Sequence, residues 1–123
     1  MITGKYPGQR LRRSRKNDWS RRLVEENNLT PSDFVLPIFL IDGKNKKQPI
    51  KTMPSVYRYT LDKLSQLIDK AIKDKLPMVA LFPLTPERNK DEFGTEALNE
   101  NNLVCQSIKY IKKRYPKIGI MCD

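Results

Sequence analysis

Met78-Val79-Ala80-Leu81-Phe82-Pro83-Leu84 is the most apolar run of the chain, seven residues without a charge between Pro77 and Thr85. Its length and the lack of a polar helical face predict a strand buried on both sides, as in a parallel sheet under helices. A second run, Phe34 to Ile41, lies upstream, and a shorter one, Ile118 to Cys122, lies downstream. The three centres are spaced by roughly 40 residues, and each interval has room for an amphipathic helix, which is the rhythm of repeating βα units.

Both intervals carry that helix. Thr60 caps a segment over residues 61–76 in which Leu61, Leu64, Leu67, Ile68, Ala71, Ile72 and Leu76 form one face, and Pro77 stops it. Residues 103–115 form the second, with Leu103, Val104, Ile108, Ile111 and Tyr115 inward and Lys112, Lys113 and Arg114 near the favoured C-terminal end. Between residues 42 and 60 the chain reads as a turn at Asp42-Gly43, a polar loop, and short extended segments at 49–54 and 56–59. Pro37 cannot donate to a ladder, so the first strand needs an edge or a bulge there. Residues 85–102 make a loop longer than a βα connection requires, the kind that often carries function.

At 123 residues the chain can bury one core, but only 38% of it is hydrophobic and its net charge is +10. Residues 1–22 hold eight basic side chains against Asp18 alone, which accounts for seven of the ten charges. A basic arm of this kind favours an anionic partner or an acidic protein surface. Asn17 or Asp18 caps a short helix with Trp19, Leu23 and Val24 as a narrow apolar stripe. No stretch reaches the roughly 18 apolar residues of a membrane span, and no apolar core follows the basic N-terminus. Residues 1–16 are Arg-rich like a mitochondrial presequence, yet Gly4, Pro7 and Gly8 work against the helix it needs. Cys105 and Cys122 lack a CxxC spacing and the chain has no histidine, so the reading is cytoplasmic and reducing.

Eight units of about 40 residues would give roughly 320, the size of a closed βα barrel. The expected fold is therefore α/β, the N-terminal part of a (β/α)8 TIM barrel with about three strands and two long helices. Residues 1–30 form an N-terminal arm with a short helix, and residues 31–123 the first, incomplete portion of the barrel. On this reading the outer strands leave unpaired, aggregation-prone edges.

The motifs now identify a family. Arg10-Leu-Arg-Arg13, Leu29-Thr-Pro-Ser-Asp33, Val35-Leu-Pro-Ile-Phe39, Met53-Pro-Ser-Val-Tyr-Arg58, Lys90-Asp-Glu-Phe-Gly94 and Met121-Cys-Asp123 resemble the N-terminal third of 5-aminolevulinate dehydratase, or porphobilinogen synthase. The resemblance implies a TIM barrel whose arm embraces a neighbouring subunit in a homo-oligomer, commonly an octamer. It implies condensation of two 5-aminolevulinate molecules to porphobilinogen in tetrapyrrole (haem) biosynthesis, with Zn or Mg as cofactor. The family's two catalytic lysines, Zn-binding cysteines and substrate-carboxylate binders belong beyond Asp123, so this 123-residue chain is expected to be inactive alone.

A Schiff-base lysine needs a desolvated site or a neighbouring cation, and every lysine here falls in a loop, on a polar helix face or at a helix end. Lys117 comes nearest, but at the wrong end of a strand. Asp123, at a strand's C-terminal end, is the candidate active-site residue by resemblance, against a plain role capping a turn. Phe82 is a candidate substrate-binding residue at the barrel mouth, against a plain core role. Alternation points Gly119 and Met121 inward and Ile118, Ile120 and Cys122 towards the helices, with Cys122 expected to be buried. Asp42 serves a turn. Glu87, Asp91, Glu92 and Glu96 place hard oxygen ligands in one loop, where solvated acids are the commoner outcome. The alternative class is a small nucleic-acid-binding module gripping phosphates with its Arg-rich end; Tyr57 and Tyr59 beside Arg58 are its stacking candidates, against simple packing.

Overall fold

The computed structural model of the chain describes residues 4–5, 7–9 and 12–122. Its centre is a parallel sheet of β1 (Val35–Leu40), β4 (Met78–Pro83) and β5 (Gly119–Cys122), in that spatial order. β1 and β4 pair along their whole lengths, from Val35 opposite Met78 to Leu40 opposite Pro83, and β4 pairs with β5 from Met78 opposite Gly119 to Leu81 opposite Cys122. The crossovers contain α2 (Leu64–Lys73) and α3 (Leu103–Arg114).

The sheet has five strands where about three were expected. β2 (Lys47–Pro49) and β3 (Tyr57–Tyr59) form an antiparallel pair, and β3 lies parallel to β1, with Phe39 opposite Arg58 and Leu40 opposite Tyr59. The C-terminal half of β1 is thus paired on both sides, which corrects the expectation of a wholly open edge. Pro37 sits in the other half, beyond the reach of β3, where its missing N–H deprives only a single neighbour.

One layer of side chains holds this together. Ile38 and Leu40 of β1, Val79 and Leu81 of β4, and Ile118 meet Leu64, Ile68 and Ala71 of α2 and Ile111 of α3 in a single buried cluster. The helix positions recur every three or four residues and the strand positions every two, so each element turns its apolar face to the same layer. Ser107 is also fully buried; its hydroxyl donates to the Leu103 carbonyl four residues back, at 2.7 Å, which satisfies it inside the helix. Tyr115 ties the helices, its hydroxyl donating to Asp69 Oδ1 at 2.7 Å; that bond, followed by burial, pushes the phenol pKa up.

The loop before α2 is knotted by buried Thr60, whose hydroxyl accepts from the Lys46 N–H at 3.1 Å and donates to the Lys46 carbonyl at 3.3 Å. Helix α2 ends before Pro77. Lys75 takes the left-handed conformation (φ 60°), and the Leu76 N–H turns back to the Ala71 carbonyl at 2.9 Å. Near the N-terminus, α1 (Asp18–Leu23) follows Asn17, and its stripe is exposed: Trp19, Leu23 and Val24 find no cover within the described residues. Pro31–Asp33 forms a turn whose Asp33 carboxylate accepts from the Thr30 N–H at 2.7 Å and hydroxyl at 2.9 Å.

Candidate functional site at the C-terminal strand ends

Two faces meet at the C-terminal ends of the strands. On the side away from the helices, Phe39 and Phe82 are register partners at the tops of β1 and β4, and their rings stack with centroids 5.4 Å apart and planes at 28°. Both are half-buried, and Val35 and Met121 on the same face are exposed. Alternation therefore holds: Ile118 and Ile120 pack towards the helices and Met121 points away.

Above the strand ends, the loop after β4 encloses a cavity of about 670 Å³ with the first turn of α3, lined among others by Asp42, Leu84, Asn89, Asp91, Glu96 and Asn102. Polar side chains organise this loop from within. Asp91 Oδ1 accepts from the N–H groups of Phe93 (3.1 Å) and Thr95 (2.9 Å). The Thr95 hydroxyl first, then these N–H groups, hold the Asp91 carboxyl below its ordinary value. Gly94 adopts φ 64°, a left-handed turn that glycine enters without strain. Asn102 caps α3, its Oδ1 accepting from the Cys105 N–H at 2.8 Å, and donates to the Glu96 carbonyl at 3.2 Å.

The acids of this loop do not converge. Glu87 pairs with Lys90, and Glu96 accepts from Asn99 at 3.3 Å. Among the described residues, no three His, Cys, Asp or Glu side chains gather where a metal ion would be held. Zn or Mg, which the resemblance implies, finds no fitting donor set among them.

Asp123 lies outside the described residues. Phe82 stands on the bare face at a strand end. Asp42 is exposed just after β1 and faces the cavity. No lysine is buried: all are exposed except half-buried Lys63, and Lys117 stands exposed at the start of β5. Cys122 is exposed, which corrects the expectation of a buried thiol; it is the last residue of its strand and nothing in α3 reaches over it far enough to seal it. The surrounding atoms first, and then Cys105, push its thiol pKa up. Tyr57 and Tyr59 pack on their own hairpin, with Lys47 Nζ 4.1 Å from the Tyr57 ring centroid and 5.9 Å from that of Tyr59. The extended segment expected at 56–59 contains β3, whereas β2 falls mostly in the stretch read as a polar loop, and the pairing of the two as a hairpin had no signal in the sequence.

Apart from the short β3 beside β1, the parallel strands β1, β4 and β5 follow one another in sequential order, with their crossover helices contributing to one buried layer and the opposite face bare; this is a singly wound βα sheet, the pattern from which (β/α)8 barrels are built. The family model for delta-aminolevulinic acid dehydratase matches residues 8–123. The chain belongs to that family. A delta-aminolevulinic acid dehydratase of Bradyrhizobium diazoefficiens is 49% identical over 114 residues, covering 93% of this chain and 32% of the relative. One from Ruminiclostridium josui is 37% identical over 115 residues, 94% of this chain and 55% of the relative. The crystal structure of the Toxoplasma gondii enzyme in complex with its reaction product porphobilinogen superposes with a TM-score of 0.86 at 30% identity, over 94% of this chain and 32% of that one. The chain thus spans about a third of the length of the first of these relatives and of that solved structure. Among the described residues, no helix is long and apolar enough to cross a membrane.

Proposed function

We propose that this chain supplies the N-terminal part of the catalytic barrel of a porphobilinogen synthase, the enzyme that condenses two molecules of 5-aminolevulinate. The carrying observation is the sheet itself: β1, β4 and β5 in barrel order and register, with a superposition of 0.86 on a relative that holds porphobilinogen. In this reading residues 1–30 are an intersubunit arm, and residues 31–123 are barrel. The exposed Trp19, Leu23 and Val24 support the arm, because an apolar stripe left in water is stabilised by a neighbouring subunit. The assembly is a homo-oligomer, an octamer by family resemblance, in the cytoplasm.

Asp123 and Phe82 line the substrate pocket in this proposal. Asp123 follows directly on β5, so a carboxylate would stand at the strand end where barrels place their chemistry, and Phe82 would wall the pocket from β4. The chain alone makes no porphobilinogen, because every lysine is exposed except half-buried Lys63, and none stands in the desolvated site that Schiff-base formation uses. The nucleic-acid reading loses its stacking candidates, since Tyr57 and Tyr59 are engaged with Lys47.

The test is a chimera in which residues 8–123 replace the matching third of the Bradyrhizobium relative, assayed colorimetrically for porphobilinogen beside the isolated chain. The chimera should turn over 5-aminolevulinate, its Asp123→Asn variant should lose at least about tenfold in kcat/KM, a loss of about 1.4 kcal/mol in transition-state stabilisation, and the isolated chain should match a no-protein control. A chimera that assembles like its parent yet makes no porphobilinogen would overturn the proposal. Turnover by the isolated chain would overturn the part concerning its lysines.

A further inference from the structure

Phe39 is an aromatic side chain on the face of the sheet that α2 and α3 leave bare. It is half-buried there, and its ring lies against that of Phe82, with centroids 5.4 Å apart and planes at 28°. The two residues are register partners, so the rings stand side by side across β1 and β4 at one height, near the C-terminal ends of both strands. At that separation near-parallel rings are displaced sideways, an arrangement that aromatic pairs favour over a direct sandwich.

The two phenylalanines are not held equally. Phe39 is opposite Arg58 of β3 as well as Phe82 of β4, so its backbone is paired on both sides. Two bonds close the ladder just beyond it: the Ile41 N–H donates to the Tyr59 carbonyl and the Leu84 N–H to the Leu40 carbonyl, each at 3.0 Å. Phe82 has less. The pairing of β4 with β5 ends at Leu81 opposite Cys122, so among the described residues Phe82 has a partner on the β1 side alone. Two places back on its own face stands Ala80, which offers a single methyl group. Among the described residues, the ring that stacks on Phe82 is that of Phe39. A side chain with two free torsions and an open face takes its orientation from what it leans on. The support therefore runs from the doubly paired strand to the singly paired one.

We propose that Phe39 is a positioning residue of the substrate site: its ring sets the plane of Phe82 and so shapes the apolar wall against which 5-aminolevulinate is held. This rests on the reading of Phe82 as a wall of that pocket. The substrate is a short keto acid with methylene carbons between its polar groups. A flat ring already fixed in place covers those carbons without losing rotamer freedom at each binding event. Such a wall supplies no charge and no proton, so it holds substrate and transition state alike. Its disturbance raises KM and leaves kcat nearly unchanged.

The test is a double-mutant cycle in the full-length chimera that carries residues 8–123 in the Bradyrhizobium relative. Phe39→Leu, Phe82→Leu and the double variant are each read as KM and kcat for 5-aminolevulinate. Leucine keeps the sites apolar and close in volume, which favours assembly. Phe39→Leu should raise KM about fivefold with kcat within about twofold; fivefold corresponds to about 1 kcal/mol, in the range of a stacked aromatic pair. Phe82→Leu should raise KM at least as much. The double variant should match Phe82→Leu alone, because Phe39 acts through that ring. An unchanged KM in Phe39→Leu, or two effects that multiply, would overturn the proposal and leave the enzyme function and the Phe82 wall in place. An unchanged KM in Phe82→Leu would remove the wall and this proposal together. In the chain itself, ring-proton nuclear Overhauser contacts should join Phe39 to Phe82. Their absence would overturn the proposal even where a chimera variant fails to assemble.

Discussion

Two isoleucines on one helix test the layer on which the sheet rests. Ile68 and Ile72 stand four residues apart on α2, yet Ile68 is fully buried among the strand and α3 side chains whereas Ile72 is 48% exposed. Ile68→Ala removes three buried carbons, a transfer loss of about 2.4 kcal/mol at ~0.8 kcal/mol each. The void left between sheet and helix adds about 1–2 kcal/mol, because neighbours anchored in three strands relax only partly. The expected cost is about 3.5–4.5 kcal/mol, a large share of a typical stability of about 5–15 kcal/mol. Ile72→Ala removes the same atoms from a half-wet site and gains alanine's better helix propensity, so it should cost under about 1 kcal/mol. Urea unfolding followed by far-UV circular dichroism, at one protein concentration for all variants, measures the difference. Equal midpoints for the two variants would refute the packing of α2 against this sheet.

Lys75→Gly should stabilise the protein by about 1 kcal/mol, because Lys75 holds a left-handed φ of 60° that glycine adopts without Cβ strain; a lower urea midpoint would contradict that cap. Asp33 has its carboxyl pKa lowered by the Thr30 N–H, then the Thr30 hydroxyl. Its contribution is present above the unfolded value of about 3.9 and is lost as pH falls through the lower folded value. Stability measured from about pH 6 down to pH 2 should therefore drop less steeply in Asp33→Asn; identical slopes would remove Asp33 from the acid response. The bare sheet face around Val35, Phe39, Phe82 and Met121 should bind ANS and promote self-association. A Val35→Lys, Met121→Lys double variant should lose most of that fluorescence and sediment as a smaller species, and unchanged dye binding would mean that face is covered.

The parts legible in the sequence are those whose pattern runs longer than a turn. The two amphipathic helices repeat their period often enough to betray which side is buried, whereas Met78 to Leu84 and the strand beginning near Gly119 were legible as apolar runs, without a sign of which face the structure leaves bare. The β2–β3 hairpin has three residues per strand, and all of Lys47–Pro49 is exposed, so no apolar period exists to read. The end of α2 misled for another reason. Pro77 is a strong stop signal, but the chain leaves the helix at Lys75, and lysine carries no preference that announces a left-handed turn. Ser107 is a polar residue in the core because its own helix supplies the acceptor, something visible only once Leu103 and Ser107 are known to share a turn.

The candidate site shows the same limit in chemical form. Side-chain type marked Glu87, Asp91, Glu92 and Glu96 as oxygen donors, but whether donors converge depends on what each has already been hydrogen-bonded to. Asp91 is spent on the N–H groups of its own turn, and Glu87 on Lys90. A carboxylate that shapes a loop is poorly placed to leave it for a metal, because breaking those bonds would free backbone donors the loop then has to satisfy elsewhere. The strand ends differ. There the backbone is already paired in the sheet, so side chains such as Phe82 answer to the face they project from and not to local turns. That is why strand position could be read from the sequence as a face of the sheet, whereas loop composition could not be read as a set of converging donors.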